Sequence, residues 1–501
     1  MASTLNKVSS HFAHVRRNEP LIEFPRAFAF AIDDLGWDDG LDGAPFGPHR
    51  AGVKRIFDIS DYQYIVNVAR AVGVRVQCLF ILSEFDRENV LARYPTTTYR
   101  REKWDNKRRI TDKHVRIMQF VRDQAAYMEF GFHGTGHEYW PEDGVQRRAE
   151  WYNLIDRKPW PEDELRDHVS AFGEIMSQYG FSKTNGHSFP ESFVPCAYSY
   201  YWNPKGVYSL GKLLNEAGVK YANTDFGQIQ ELDPPQGFHA SDFDHGVHVV
   251  HRLNYGNAWN ELAALPKVSI DFQYTDIAES HWPNWLAPDD ILQPSVTAEW
   301  IAHYRSVQRT SHRYIAKNTE QLHSQSLYKK YTRVRFQPGI AEIDNTAMPD
   351  EAYQNDKLGS MVLKIQLNRG QHISAASING EMLPAYFEDE GFGFFYLPRL
   401  DKKKYVLEYA IGSDTLPVCV YNDGTYNVYK LSRNESEIAI TLRIYGSQTV
   451  KIHCPFPASL ISDSKQLTII SSSYEAGART LNIEVVAADM QGTTSTVRLL
   501  Y

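Results

Sequence analysis

Apolar residues fall in two rhythms along this chain. From residue 27 to about 274, short runs read as strands buried on both faces, and the stretches between them repeat apolar residues three and four apart, as helices do. The strands predicted are 27–32, 74–82, 128–132, 183–189, 219–224, 247–253 and 267–274. Between the first two, Ile65, Val68, Ala69 and Val72 line one helix face, with Ser60–Asp61 as the cap and Gly73 as the stop. A helix over 113–127 presents Ile117, Met118, Val121 and Ala125, and another over 162–179 aligns Leu165, Val169, Phe172, Met176 and Tyr179 before Gly180. Asn203 and Pro204 suit the start of a helix carrying Val207, Leu210, Leu213, Leu214 and Ala217, closed by Gly218. A helical stretch from about 296 to 330 follows the last strand. Seven strands with helices between most of them predict an α/β fold, a distorted seven-stranded (β/α) barrel.

Beyond residue 332 the period drops to two. Met361, Leu363, Ile365 and Leu367 alternate with polar neighbours, as do Ile438, Ile440, Leu442 and Ile444, and Leu481, Ile483 and Val485. Asn379–Gly380 and Asp423–Gly424 supply turn signals between such runs. The pattern predicts an all-β sandwich over 333–501, as one body or two subdomains, after a leader over 1–25 and a barrel over 26–332.

Composition narrows the partners. With 53 Lys+Arg against 61 Asp+Glu the net charge is −8, so nothing points to a nucleic-acid backbone, and a neutral polar substrate is more compatible. Cys78, Cys196, Cys419 and Cys454 are scattered with no CxxC pair, which argues against a zinc-thiolate site or a disulfide scaffold. No run approaches the roughly 20 apolar residues of a membrane span. Met1–Pro20 lacks the apolar core of a signal peptide, and the chain reads as a cytoplasmic protein. Aromatic residues make up 13%, which suits sugar rings and ordinary cores alike. The oligomeric state is left open.

The chemistry concentrates at two strand ends. In a parallel barrel the carboxyl ends of the strands collect on one face. Asp33–Asp34 closes the first strand, where two adjacent carboxylates repel and a bound cation would offset the cost. His133 and His137 follow the third strand, four apart, with Gly134 and Gly136 permitting a tight backbone. Together they predict a divalent metal held by Asp34, His133 and His137, with Asp33 accepting a proton from water the ion acidifies. His245, His248 and His251 are spaced by three, which on a strand puts neighbours on opposite faces and makes no site. Ser188 in Gly186-His187-Ser188-Phe189-Pro190 lacks the final glycine of a nucleophile elbow. Trp37, Tyr139, Trp140, Trp202, Trp282 and Trp285 lie in loops after strands, where they either fill the core or line a sugar cleft.

Ala31-Ile32-Asp33-Asp34 and His133-Gly134-Thr135-Gly136-His137 resemble, in residue type, order and separation, the first two motifs of the polysaccharide deacetylase superfamily (NodB homology, carbohydrate esterase family 4). The resemblance covers residues 27 to about 310. It implies a hydrolase that removes an acetyl group from an amino sugar of an oligo- or polysaccharide or its biosynthetic precursor. It also implies Asp33 as general base and zinc, with cobalt or nickel as substitutes, on Asp34, His133 and His137. The family's third motif carries an Arg before prolines, whereas Gly186-His187-Ser188-Phe189-Pro190-Glu191 has none, leaving His187 or Glu191 to orient the base. The family's catalytic-acid His is best matched by His281, in Glu279-Ser280-His281-Trp282, with His251 and His187 as rivals. Trp37, Tyr139, Trp140, His187, Glu191 and Trp282 are the candidate substrate-binding residues. Two rival functions stay open: a glycosidase using two carboxylates drawn from Asp33, Asp34, Asp38 and Asp271, and a degenerate barrel whose β-domain binds glycans.

Overall fold

A computed structural model describes residues 20–203, 208–229, 232, 238, 240–416 and 418–501. The described chain forms two compact units, one of residues 28–304 and 489–491, the other of residues 20–27, 305–488 and 492–501. The division at 304/305 lies upstream of the 332/333 boundary read from the hydrophobic period, because period alone cannot say which unit a helix packs with.

In the first unit seven parallel strands close on themselves. They are β1 (Arg26–Leu35), β2 (Val76–Ile81), β3 (Met128–Gly134), β4 (Ser192–Phe193), β5 (Tyr221–Thr224), β6 (Val247–Asn254) and β7 (Ile277–His281). Each pairs in parallel with the next, and β7 returns to β1 with Ile277 opposite Ala29 and His281 opposite Asp33. Phe28, Phe30 and Ile32 of β1, Cys78 and Phe80 of β2 and Phe130 and Phe132 of β3 are buried, as near-continuous apolar runs require.

The connections hold α1 (Ile59–Val72), α2 (Asp112–Asp123), α3 (Glu162–Gln178) and α4 (Leu210–Ala217). The cap of α1 is Asp58 rather than Ser60–Asp61; Asp61 sits at the third helical position and accepts the Asp58 N–H at 2.9 Å, closing a capping box. Gly73 and Gly218 end α1 and α4 in the left-handed region, at φ 74° and 106°. The predicted start of α4 at Asn203–Pro204 falls partly outside the described residues.

Two strand expectations move. Residues 183–189 open with a turn at Lys183–Asn185, Gly186 follows at φ 84°, and the strand is only Ser192–Phe193. Residues 267–274 hold a turn at Ile270–Phe272, and the strand is Ile277–His281, whose polar Glu279, Ser280 and His281 are all buried and so look like loop in sequence. The long helical stretch divides into α5 (Gln293–Gln308), a short strand Arg313–Ile315 and α6 (Thr319–Tyr331), which Asn318 caps by accepting the Gln321 N–H at 2.9 Å.

The second unit contains sheets of eight, five and four strands, antiparallel apart from one parallel pairing, together with α6. Asn379–Gly380, at φ 50° and 80°, makes the expected tight hairpin between His372–Ile378 and Glu381–Met382. Asp423–Gly424 instead joins strands of different sheets. Ile438, Ile440 and Leu442 bury alternate positions as predicted, whereas Val362–Ile365 is covered on both faces. Lys364 stays satisfied there by donating to the carbonyls of Gln308, Thr310 and Arg313. No helix among the described residues is long and apolar enough to cross a membrane.

Candidate active site

The strand ends that carry the two motifs are both bulged. Between β1 and β2 the register advances from Ile32↔Cys78 to Leu35↔Phe80, so one extra residue is accommodated at Asp33–Asp34. Between β2 and β3 it advances from Phe80↔Phe132 to Ile81↔Gly134, which leaves His133 as the extra residue. A bulge re-aims a side chain. Asp34, at φ 70°, and His133 turn toward the same point, and His137, also at φ 70°, joins them.

Asp34 Oδ1 lies 3.2 Å from His133 Nε2 and 3.5 Å from His137 Nε2. Ligands of a tetrahedral ion with bonds near 2.1 Å stand roughly 3.4 Å apart, so these spacings suit a divalent cation. His133 Nδ1 is 2.8 Å from the Val194 carbonyl, a contact that fixes the ring and turns Nε2 to the site. Asp34 Oδ1 is buried without a hydrogen-bond partner, as expected where a cation completes the set. Cys196 also qualifies: its sulfur and the two imidazoles form a buried group within 4.8 Å. Its thiol donates to the His133 carbonyl at 3.3 Å, and burial, with Glu150 adding, pushes it well above the ordinary thiol range. The donor set of two imidazoles with a carboxylate or a thiol therefore fits a metal.

The glycines of the second motif serve space rather than unusual backbone angles. A Cβ on Gly134 would stand 2.0 Å from Glu150 Oε2, and one on Gly136 would stand 2.8 Å from the Thr97 carbonyl. Glu150 needs that room: it accepts the Thr135 N–H at 2.8 Å and the His137 N–H at 2.9 Å, with His168 Nδ1 at 2.7 Å behind it.

Asp33 is paired with an arginine that no motif announced. Arg252 of β6 donates from Nη1 to Asp33 Oδ1 at 2.9 Å and from Nη2 to Oδ2, and its Nη2 lies 3.4 Å from Glu279 Oε2. Burial pushes the Asp33 carboxyl up, but the charge and hydrogen bonds of Arg252 outweigh it and hold the group below the usual range. On β7, Glu279 and His281 are two apart and share a face. Glu279 Oε1 accepts the Tyr198 O–H at 2.6 Å and stands 3.9 Å from His281 Nδ1, while His281 Nε2 is 4.0 Å from Asp34 Oδ2. The third-motif candidates lie elsewhere: Glu191 pairs with Lys220 at 2.8 Å, and His187 Nδ1 accepts the Met490 N–H at 3.3 Å. Ser188 Oγ donates to Asp489 at 2.7 Å.

A cavity of about 220 Å³ opens over these residues; Asp33, Asp34, His133, His137, Arg252 and His281 line its floor. Its walls come from His49, Arg148, Ala197, Tyr198 and Trp259, none of which sequence reasoning singled out. Of the predicted aromatic contacts, Trp37 is buried edge-on to His49, and Tyr139 stacks on Trp160 at 3.7 Å. Trp140 is buried with its N–H on Glu138, and Trp282 stacks on Phe57 at 4.0 Å. These rings pack in the protein interior. Asp38 pairs with Lys113, and Asp271 is exposed on the Ile270–Phe272 turn. Arg252 had one legible signal, a cation inside the apolar run Val247-His248-Val249-Val250-His251-Arg252-Leu253, which a buried strand tolerates only with an acidic partner. No family model, curated protein or solved structure matches the chain, so the site stands on its own geometry.

Proposed function

We propose that the protein is a metal-dependent de-N-acylase of the polysaccharide deacetylase kind, hydrolysing the acetyl amide of an amino sugar in an oligo- or polysaccharide or its precursor. On this reading the seven strands and their connecting helices are a distorted (β/α) barrel, the second unit is a β-sandwich elaboration, and the enzyme works in the cytoplasm on polysaccharide intermediates. The observation that carries the reading is Asp34 Oδ1 set 3.2 and 3.5 Å from two imidazole nitrogens, with a second carboxylate adjacent in sequence.

Asp34, His133 and His137 would hold the ion, zinc or else cobalt or nickel, with Cys196 as the alternative third ligand. Bound there, a divalent ion supplies Lewis acidity to a carbonyl oxygen and to water. Asp33 takes the proton that the attacking water gives up, and Arg252 keeps it ionised and aligned for that task. His281 stands on the neighbouring strand end to protonate the departing amine, with Glu279 Oε1 3.9 Å behind its Nδ1. The glycosidase alternative draws less support, since neither Asp38 nor Asp271 reaches the cavity lining.

Metal analysis of the wild type, Asp34→Ala, His133→Ala and Cys196→Ala, with amine release from acetylated saccharides before and after chelation, tests this. One ion per chain, lost from the first two variants and kept by the third, with activity removed by a chelator and restored by zinc or cobalt, is the expected result. A metal-free wild type, or hydrolysis that survives chelation, would overturn it.

A further inference from the structure

Three wall residues meet at the cavity mouth. Arg148 Nη2 is 3.5 Å from His49 Nδ1, the Arg148 guanidinium lies over the Trp259 ring at 5.2 Å, and the His49 ring is 5.4 Å from Trp259 and 4.5 Å from His137. Arg148 is exposed to solvent at this mouth, and among the described residues no carboxylate forms an ion pair with it. Asp42 lies 3.6 Å from His49 Nδ1, and its Oδ1 already accepts the N–H groups of Ala44 and Arg50 at 3.3 Å; Asp34 lines the same cavity.

The chain places Arg148 deliberately. Arg147 is held by a two-way backbone pairing with Tyr139, and its side chain is paired with Asp143; two residues on, Glu150 is buried under the second metal-binding motif. Arg148 is suspended between these anchors with its cation directed to the cavity that Asp34 and His137 line. A planar guanidinium with unused donors, braced on an indole face, binds carboxylate or phosphate oxygens in a fork and leaves the ring face for an apolar sugar surface.

We propose that the Arg148–His49–Trp259 cluster is an anion subsite and that the substrate is an acidic saccharide, carrying a carboxylate or phosphate close to the amide to be cleaved. This rests on the de-N-acylase reading for the word substrate, but the subsite itself does not need the reaction. The expectation from net charge alone, a neutral sugar, is replaced by a local one: Arg148 offers a cation at the mouth, whatever the total.

Calorimetric titration of glucuronate, glucose 6-phosphate and glucose, none of which carries an amide, into wild type, Arg148→Gln and Arg148→Lys tests it without turnover. Expected is a preference of about tenfold or more for at least one acid over glucose, weakened by salt, abolished in R148Q and partly retained in R148K. The tighter acid identifies carboxylate or phosphate as the group recognised. Equal affinities, no binding of any of the three sugars, or a preference that survives in R148Q overturns the proposal. Anion preference without amine release from any acetylated sugar would instead refute the deacylase reading and spare the subsite; amine release with no anion preference would do the reverse.

Discussion

Replacing Arg252 by Met removes a cation from a place where two acids depend on it. Asp33 and Glu279 are 2% and 0% exposed, and Arg252 is 2.9 Å from the one and 3.4 Å from the other. Met keeps most of the stem volume, so the change is chiefly one of charge. Breaking a buried pair from one side costs about 3–5 kcal/mol, because the remaining charge stays desolvated and unpaired. All ten tryptophans lie between Trp37 and Trp300, so intrinsic fluorescence during urea unfolding reports the barrel unit alone. The expected result is a loss of about 3–5 kcal/mol for R252M, together with loss of hydrolysis. Asp33→Asn in the same background should restore part of the stability, with a coupling energy above about 1.5 kcal/mol in the double-mutant cycle. A cost under about 1 kcal/mol, or effects additive to within about 0.5 kcal/mol, would refute the argument that Arg252 is the electrostatic keystone of Asp33.

Gly134→Ala should cost about 1–3 kcal/mol and weaken metal binding, since its Cβ would meet Glu150 Oε2 at 2.0 Å and push that carboxylate off the His137 N–H; an unchanged urea midpoint and ion content would contradict this. His323 on α6 is fully buried, and burial pulls its pKa from 6.5 down to about 3. Folding therefore favours the neutral ring: between pH 6.5 and 3 the unfolded chain binds the proton and the folded one does not, so stability falls as pH falls. At pH 5 the deficit from this group is about 2 kcal/mol, and calorimetry should show a flatter pH dependence of the second unit's unfolding in His323→Gln; parallel profiles would count against it. Cys196→Ala separates the two ligand sets: retention of the ion assigns the third position to Asp34, and its loss assigns that position to the thiol.

Local pattern made much of this protein legible before any coordinates. The runs at 27–32, 74–82 and 128–132 are barrel strands because a parallel strand covered on both faces is largely apolar, and that needs no knowledge of its neighbours; those at 219–224 and 247–253 keep enough apolar residues to be read in the same way. Asp34, His133 and His137 stood out for a similar reason, as polar residues at abrupt ends of such runs. Strand β7 is displaced from its expected place because Glu279, Ser280 and His281 are buried polar residues whose partners lie elsewhere in the chain, Arg252 and Tyr198 for Glu279 among them. The same holds for the orienting group: Arg252 reaches Asp33 across 219 positions, from a strand that meets β1's neighbour only once the barrel closes. The register bulges that aim the ligands, the room that Gly134 leaves for Glu150 and the Arg148 cluster at the mouth are likewise products of closure. Periodicity and strand-end chemistry are properties of a few consecutive residues and can be read from them; which charge answers which is settled by distances that exist only in the folded chain.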